Sequence, residues 1–181
     1  MSKEMTTTSQ LARDPIAEAR RQWIAHGWGE AAPGMTAVTT ITRVQQILEA
    51  RVEEVLSPFG LSFARFEILR LLGFTRTGRL PMGKISDRLQ IHPASVTSAV
   101  KRLERERLIA RQPDADDNRV VLASLLPDGR RVLEPATAAV NEVFESTGLT
   151  TDEIGHLNEL LDRIRALAGD RIEQPVQSDD D

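Results

Sequence analysis

Residues 81–122 read PMGKISDRLQ IHPASVTSAV KRLERERLIA RQPDADDNRV VL. Two short helices are predicted here. The first spans about 82–89, with Met82, Ile85 and Leu89 apolar, and Gln90-Ile91-His92 forms the turn. Pro93 suits the first position of the second helix, about 93–107, with His92 as its cap. Val96, Val100, Leu103 and the stem of Arg107 form the stripe that faces the body. After Leu108 the period changes. Ile109 to Gln112 predicts a strand, Pro113 to Asn118 a polar turn, and Arg119 to Leu125 the return strand of a β-hairpin. Arg119 is expected at the base of this hairpin and Asn118 near its tip.

Helix, turn, helix and hairpin, in that order, is what reading duplex DNA needs. The major groove admits one helix, and short polar side chains on its first turns let it approach the base edges. Ser95, Thr97 and Ser98 have that character. Lys101, Arg102 and Arg105, further along the same helix, suit bases or flanking phosphates. On the hairpin, Asn118 and Arg119 form a second reader, because an Arg on such a wing fits a narrow, negative minor groove. Asp114, Asp116 and Asp117 would be repelled by DNA, so Asp117 is assigned the task of orienting Arg119 through an ion pair.

Outward from this lobe, helices dominate. Asp14 as N-cap, Pro15 at the first position and Gly27 beyond the end predict a helix over 15–26. Gly29 to Gly34 reads as a break. A long helix follows from about Met35 to Leu56, with Val38, Ile41, Val44, Leu48, Val52 and Val55 on one face. Residues 62–73 form a third helix, with Phe63, Phe66, Leu69 and Leu72 inward, and Gly73 to Gly78 breaks it. Past the wing, 128–146 and a last helix capped by Thr151 complete the pattern. The fold class is mainly α with a small β-hairpin wing. Its expected parts are a disordered tail at 1–13, N-terminal helices at 14–60, a winged helix-turn-helix lobe at 61–126, C-terminal helices at 127–168 and an acidic tail at 169–181. Three apolar stripes outside a small lobe favour a dimer interface over a monomer core.

The net charge of −4 hides an asymmetry. From Arg65 to Arg111 there are eleven basic and four acidic residues, a balance of +7, so the remainder carries −11. A basic patch in an acidic chain is the footprint of an anionic partner. Cysteine is absent, which removes disulfides and thiol sensing. His26, His92 and His156 are too scattered for a metal site. No catalytic or dinucleotide motif is present, so neither an enzyme nor a cofactor is expected. With no apolar leader and no run of roughly 20 apolar residues, a soluble cytoplasmic protein is expected.

Ser95-Val96-Thr97, Val100, Arg102-Leu103-Glu104, Leu108-Ile109, Arg111, Pro113, Asp117-Asn118-Arg119 and Asp128-Gly129 together resemble the recognition helix, wing and following turn of the MarR family of transcriptional regulators. The likeness covers roughly residues 35–168. Leu125-Leu126 departs from it, standing where that family usually has Leu-Thr. The resemblance implies a homodimer whose N- and C-terminal helices interlock, with two winged lobes on a pseudo-palindromic operator. The extra N-terminal helix with Trp23 resembles the urate-responsive subgroup. That likeness implies a pocket for a small anionic effector, contacted by Trp23, Glu67 and Arg20 or Arg51; the plainer alternative has Trp23 packing in the dimer interface. A rival reading is a winged-helix protein-interaction module without DNA specificity. The +7 segment and the hydroxyl-rich helix start oppose it, because a docking helix exposes apolar anchors.

Overall fold

Pro127 to Val140 meets Phe63 to Phe74 at Gly73, where an added side chain would be crowded. A Cβ on Gly73 would stand 2.8 Å from Leu133 Cδ2. Gly73 therefore permits a close helix approach and does not break the helix, which runs Phe63–Phe74 (α3) and not 62–73. Its buried face carries Phe66, Ile68, Leu69 and Leu72, and also one charge, Arg65.

The computed structural model describes residues 14–115 and 117–172. The tail expected at 1–13, residues 173–181 of the acidic tail, and Asp116 lie outside the described residues. Two compact units divide after Val140. In the first, α1 (Pro15–Ala25) starts where Asp14 Oδ1 accepts from the amides of Ile16 at 2.9 Å and Ala17 at 3.3 Å. The next helix, α2 (Ala32–Leu56), begins three residues before the expected Met35. Pro33, which the sequence reading placed in a break, fits the first turn of a helix because its missing N–H has no intrahelical partner there. After α3 come β1 (Arg79–Pro81), α4 (Met82–Leu89), α5 (Pro93–Arg105), β2 (Ile109–Pro113), β3 (Val121–Leu125) and α6 (Pro127–Glu145), which continues into the second unit.

The expected hairpin is one part of a three-stranded antiparallel sheet, ordered β1-β3-β2 among the described residues. Arg79 to Pro81 pairs with Ser124 to Leu122. A three-residue strand ending in proline carries no alternation, so periodicity could not find it. The return strand starts at Val121, two residues later than expected. Arg119 therefore lies in the tip with Asn118, and not at the base of the wing.

Val96, Val100 and Leu103 of α5 are buried with Ile68, Leu72 and Ile85. Each such side chain contributes about 1.5–3 kcal/mol by leaving water, which fixes how α5 rolls on the body. That helix ends two residues earlier than expected. Arg107 adopts a left-handed φ of 58°, so its stem is exposed and not part of the stripe. In the second unit, α7 (Thr151–Leu167) is capped by Thr150, not by Thr151. Only Thr150 has a glutamate three residues on, and Glu153 Oε2 accepts from the Thr150 amide at 2.8 Å to close a capping box.

Candidate nucleic-acid interface

The turn into α5 is held by local bonds. Gln90 takes a left-handed φ of 52°, and Ser86 Oγ donates to Ile91 O at 3.0 Å. His92 Nδ1 accepts from the Ala94 amide at 3.2 Å, so the histidine caps the helix as its position before Pro93 suggested. With the apolar stripe turned inward, Ser95, Ser98, Lys101, Arg102 and Arg105 are exposed. Thr97 is half-buried, and its hydroxyl donates to Pro93 O at 2.9 Å. Its free capacity is therefore as an acceptor or through its methyl group. Lys101 and Arg105 have no hydrogen-bond or carboxylate partner among the described residues.

Glu104 near the end of α5 and Glu106, its C-cap, organise the basic side chains. Arg102 Nε donates to Glu106 Oε1 at 3.1 Å. The other oxygen of Glu106 accepts from Arg65 Nη1 at 2.8 Å. The Arg65 side chain is only 8% exposed, and it also donates to Gly60 O at 2.6 Å and Ser62 Oγ at 3.3 Å. A buried guanidinium demands such satisfaction, since an unpaired buried charge is strongly destabilising. Glu104 accepts from Arg111 Nε at 2.8 Å, and this hydrogen bond lowers the Glu104 pKa. A cleft between α3 and α5 is lined by Ser62, Arg65, Ser95, Ser98, Arg102 and Arg105, together with Ala99.

On the wing, Asp117 accepts from Arg119 Nε and Nη2, both at 3.0 Å, and from the Arg119 amide at 3.0 Å. These bonds hold the Asp117 carboxyl below its ordinary pKa and raise that of Arg119. The expected ion pair is present. The Arg119 side chain remains 91% exposed, displayed at the tip with its remaining N–H groups free to donate. Asn118 is exposed beside it.

A sequence model of the MarR family matches residues 61–121, the span of this geometry. The solved structure of Sco5413, a MarR family transcriptional regulator from Streptomyces coelicolor, is 42% identical with a TM-score of 0.69. That match covers 78% of this chain and 99% of that one. The chain belongs to the MarR family. BpsR of Bordetella bronchiseptica, whose structure concerns regulation of DNA binding by 6-hydroxynicotinic acid, is 26% identical with a TM-score of 0.64, covering 70% of this chain and 91% of its own. YhbI, an HTH-type transcriptional regulator of Bacillus subtilis (strain 168), is 29% identical over 121 residues, 65% of this chain and 76% of YhbI.

This MarR-family chain is thus a DNA-binding transcriptional regulator and not an enzyme. No helix of the described residues is long and apolar enough to cross a membrane. The four residues assigned to an effector lie on three helices: Arg20 and Trp23 on α1, Arg51 on α2 and Glu67 on α3. Trp23 is half-buried, and its ring meets that of Trp28 edge-on at 5.4 Å. Glu67 is half-buried, and desolvation pushes its carboxyl pKa up. A cleft between α1 and α2, lined by Asp14, Ile16, Thr39, Thr42, Arg43 and Gln46 with Pro15, includes none of the four. Sequence reasoning missed Arg65. Its signal was a charge four and seven residues before Leu69 and Leu72, on a stripe that is otherwise apolar.

Proposed function

We propose that the protein is a cytoplasmic repressor, binding a pseudo-palindromic operator as a homodimer and released by a small anionic effector. The observation that carries it is the exposed face of α5. Ser95, Thr97 and Ser98 on its first turns approach base edges in the major groove, where the N-terminal residues of a recognition helix read. Lys101, Arg102 and Arg105 follow along the groove wall, while Asn118 and Arg119 on the wing approach the adjacent minor groove. Operator occupancy then blocks transcription.

Exposed apolar rows support the dimer. Val38, Ile41, Val44, Ile47 and Leu48 on α2 are exposed, although Val52 and Leu56 further along that helix are buried. In the second unit Leu157, Leu160, Ile164 and Leu167 are exposed along α7. Contiguous apolar surface of this kind marks an interaction site, and a second copy of the N-terminal helices (14–60) and C-terminal helices (127–168) is its occupant. Two lobes would then meet successive major grooves about 34 Å apart.

For the effector, 6-hydroxynicotinic acid at BpsR is a precedent of the right chemistry, an aromatic acid. Trp23 offers a ring face, and Arg20 or Arg51 a cation for a carboxylate or purine-like anion, with Glu67 alongside. Binding shifts the population toward lobe spacings that no longer fit the operator.

Gel shift on the chain's own upstream region tests the DNA reading. Sequence-selective binding at physiological salt is expected; its absence would sink the proposal. A thermal-shift screen of aromatic acids, purines and small carboxylates tests the effector. A hit must raise the melting temperature and also release DNA. The chain's two tryptophans, Trp23 on α1 and Trp28 just beyond it, touch one another, so intrinsic fluorescence reports on that region alone.

A further inference from the structure

We propose that the cleft between α3 and α5 seats one backbone phosphate of the DNA, held by Ser62, Arg102 and Arg105, with buried Arg65 as the residue that positions Arg102 through Glu106. The inference rests on the DNA reading above and adds a contact from outside the recognition helix.

The cleft is lined by three arginines and three serines, Ser62, Ser95 and Ser98, and by no acid. Arg65 is occupied by its own partners, but Ser62, Arg102 and Arg105 keep donors to spare. Glu106 engages Arg102 only through Nε, which leaves both terminal nitrogens unpaired among the described residues. Arg105 has no partner among the described residues. Ser62 Oγ accepts from Arg65 Nε at 3.3 Å, so its own proton is left to donate. Two forked cations and a hydroxyl match the several acceptor oxygens of a phosphate.

Position separates phosphate from base. Arg102 and Arg105 lie about two and three turns beyond Ser95 along α5, whereas a recognition helix contacts base edges with its N-terminal residues. Ser62, the cap residue of α3, lines the same cleft as Arg102 and Arg105 from the α3 side. Positioning runs from the core outward. Gly60 O, Ser62 and Glu106 together occupy the Arg65 guanidinium, and Glu106 in turn fixes the Arg102 Nε at 3.1 Å. Arg65 cannot swing without losing all three bonds, so the Arg102 fork is held ready before DNA arrives.

The test measures anisotropy of the full-length protein on its operator and on a scrambled duplex of equal length, across a range of salt. Arg105→Gln is expected to weaken binding to both duplexes by about the same factor, roughly tenfold, and to lower the salt slope by about 0.9. Ser62→Ala is expected to weaken both equally with the slope unchanged. Loss confined to the operator would mean base reading and would overturn the proposal, as would no change on either duplex. A wild type that binds the scrambled duplex as tightly as the operator would sink the sequence-specific function instead, leaving the cleft to be judged from the slopes. For positioning, Arg65→Lys keeps the charge and removes the fork. Its effect on DNA binding should vanish in an Arg102→Gln background, whereas a merely structural role gives additive losses. If thermal unfolding shows Arg65→Lys to be unfolded, Glu106→Gln runs the same cycle, and additivity there overturns the role of Arg65. Variants that change an anionic effector's thermal shift but leave both duplexes untouched also overturn the phosphate seat.

Discussion

Arg111 on β2 donates from Nε to Glu104 on α5 across 2.8 Å, and this bond ties the wing strand to the recognition helix. The two elements proposed to read DNA are therefore linked by a side-chain bond as well as by the chain between them. Both side chains are about one-third exposed (32% and 33%), so the pair contributes no more than about 1 kcal/mol to stability. Its larger effect is on charge, because Glu104 neutralises an arginine next to the proposed DNA-binding face. Glu104→Gln is expected to lower the melting temperature only slightly, to raise affinity for non-specific duplex and to steepen its salt slope by up to about 0.9. Unchanged salt dependence would show that Arg111 gains no phosphate when released.

Asp117 holds Arg119 at the wing tip through three hydrogen bonds. Its carboxylate takes two guanidinium N–H groups and one amide. Asp117→Asn keeps an acceptor for the turn and loses the fork partner. Discrimination between an A·T-rich and a G·C-rich step under the wing should fall about three- to tenfold, toward the level of Arg119→Ala. Competition binding with the two operators checks this, and an unaltered ratio removes Arg119 from minor-groove reading.

Burial raises the Glu67 pKa, so the native state holds the proton more tightly than the unfolded chain. The contribution of this group is intact below the unfolded value, about pH 4.3, and is lost as pH rises through the native value. Glu67→Gln should therefore raise the melting temperature at neutral pH, by a small amount because the half-exposed carboxyl is screened by solvent. The gain should disappear near pH 4. Melting curves at the two pH values decide it. A destabilised variant at neutral pH would mean that the carboxylate has a charged partner in the native protein.

The exposed face of α5 was legible in the sequence because it follows from one helix and one period. Burying Val96, Val100 and Leu103 leaves Ser95, Ser98, Lys101, Arg102 and Arg105 facing out. The Asp117–Arg119 pair was legible because it spans two residues. Arg65 was not, since its partner Glu106 is 41 residues away and only the tertiary fold brings them together. Gly73 was misread because local rules treat glycine as a breaker, whereas contact with Leu133 makes it a point of approach. The residues proposed for an effector were named from resemblance and not from spacing. Trp23, Glu67 and the candidate arginines sit on different helices, and no spacing rule joins them.

Gly129 separates packing from propensity most sharply. A Cβ there would stand 2.7 Å from Leu125 Cδ1 and even nearer the carbonyl oxygen of Leu108. That carbonyl already accepts from the Leu126 amide at 3.0 Å, so it is fixed by the chain leaving the wing. A backbone oxygen cannot rotate away as a side chain can. Gly129→Ala must therefore push α6 from the sheet or break the Leu108–Leu126 bond. Overpacking of this kind costs about 1–3 kcal/mol, and more where backbone is the obstacle. A loss of at least about 2 kcal/mol is expected, lowering the melting temperature by about 4–8 °C. Gly83 is the control: it lies in α4 with nothing within 4 Å of the added carbon. There an alanine reduces the entropy of the unfolded chain at no steric cost, and a gain of about 0.5–1 kcal/mol follows. Thermal unfolding of the two variants side by side should give shifts of opposite sign. Equal shifts would mean that the approach of Leu108 to Gly129 does not constrain the fold.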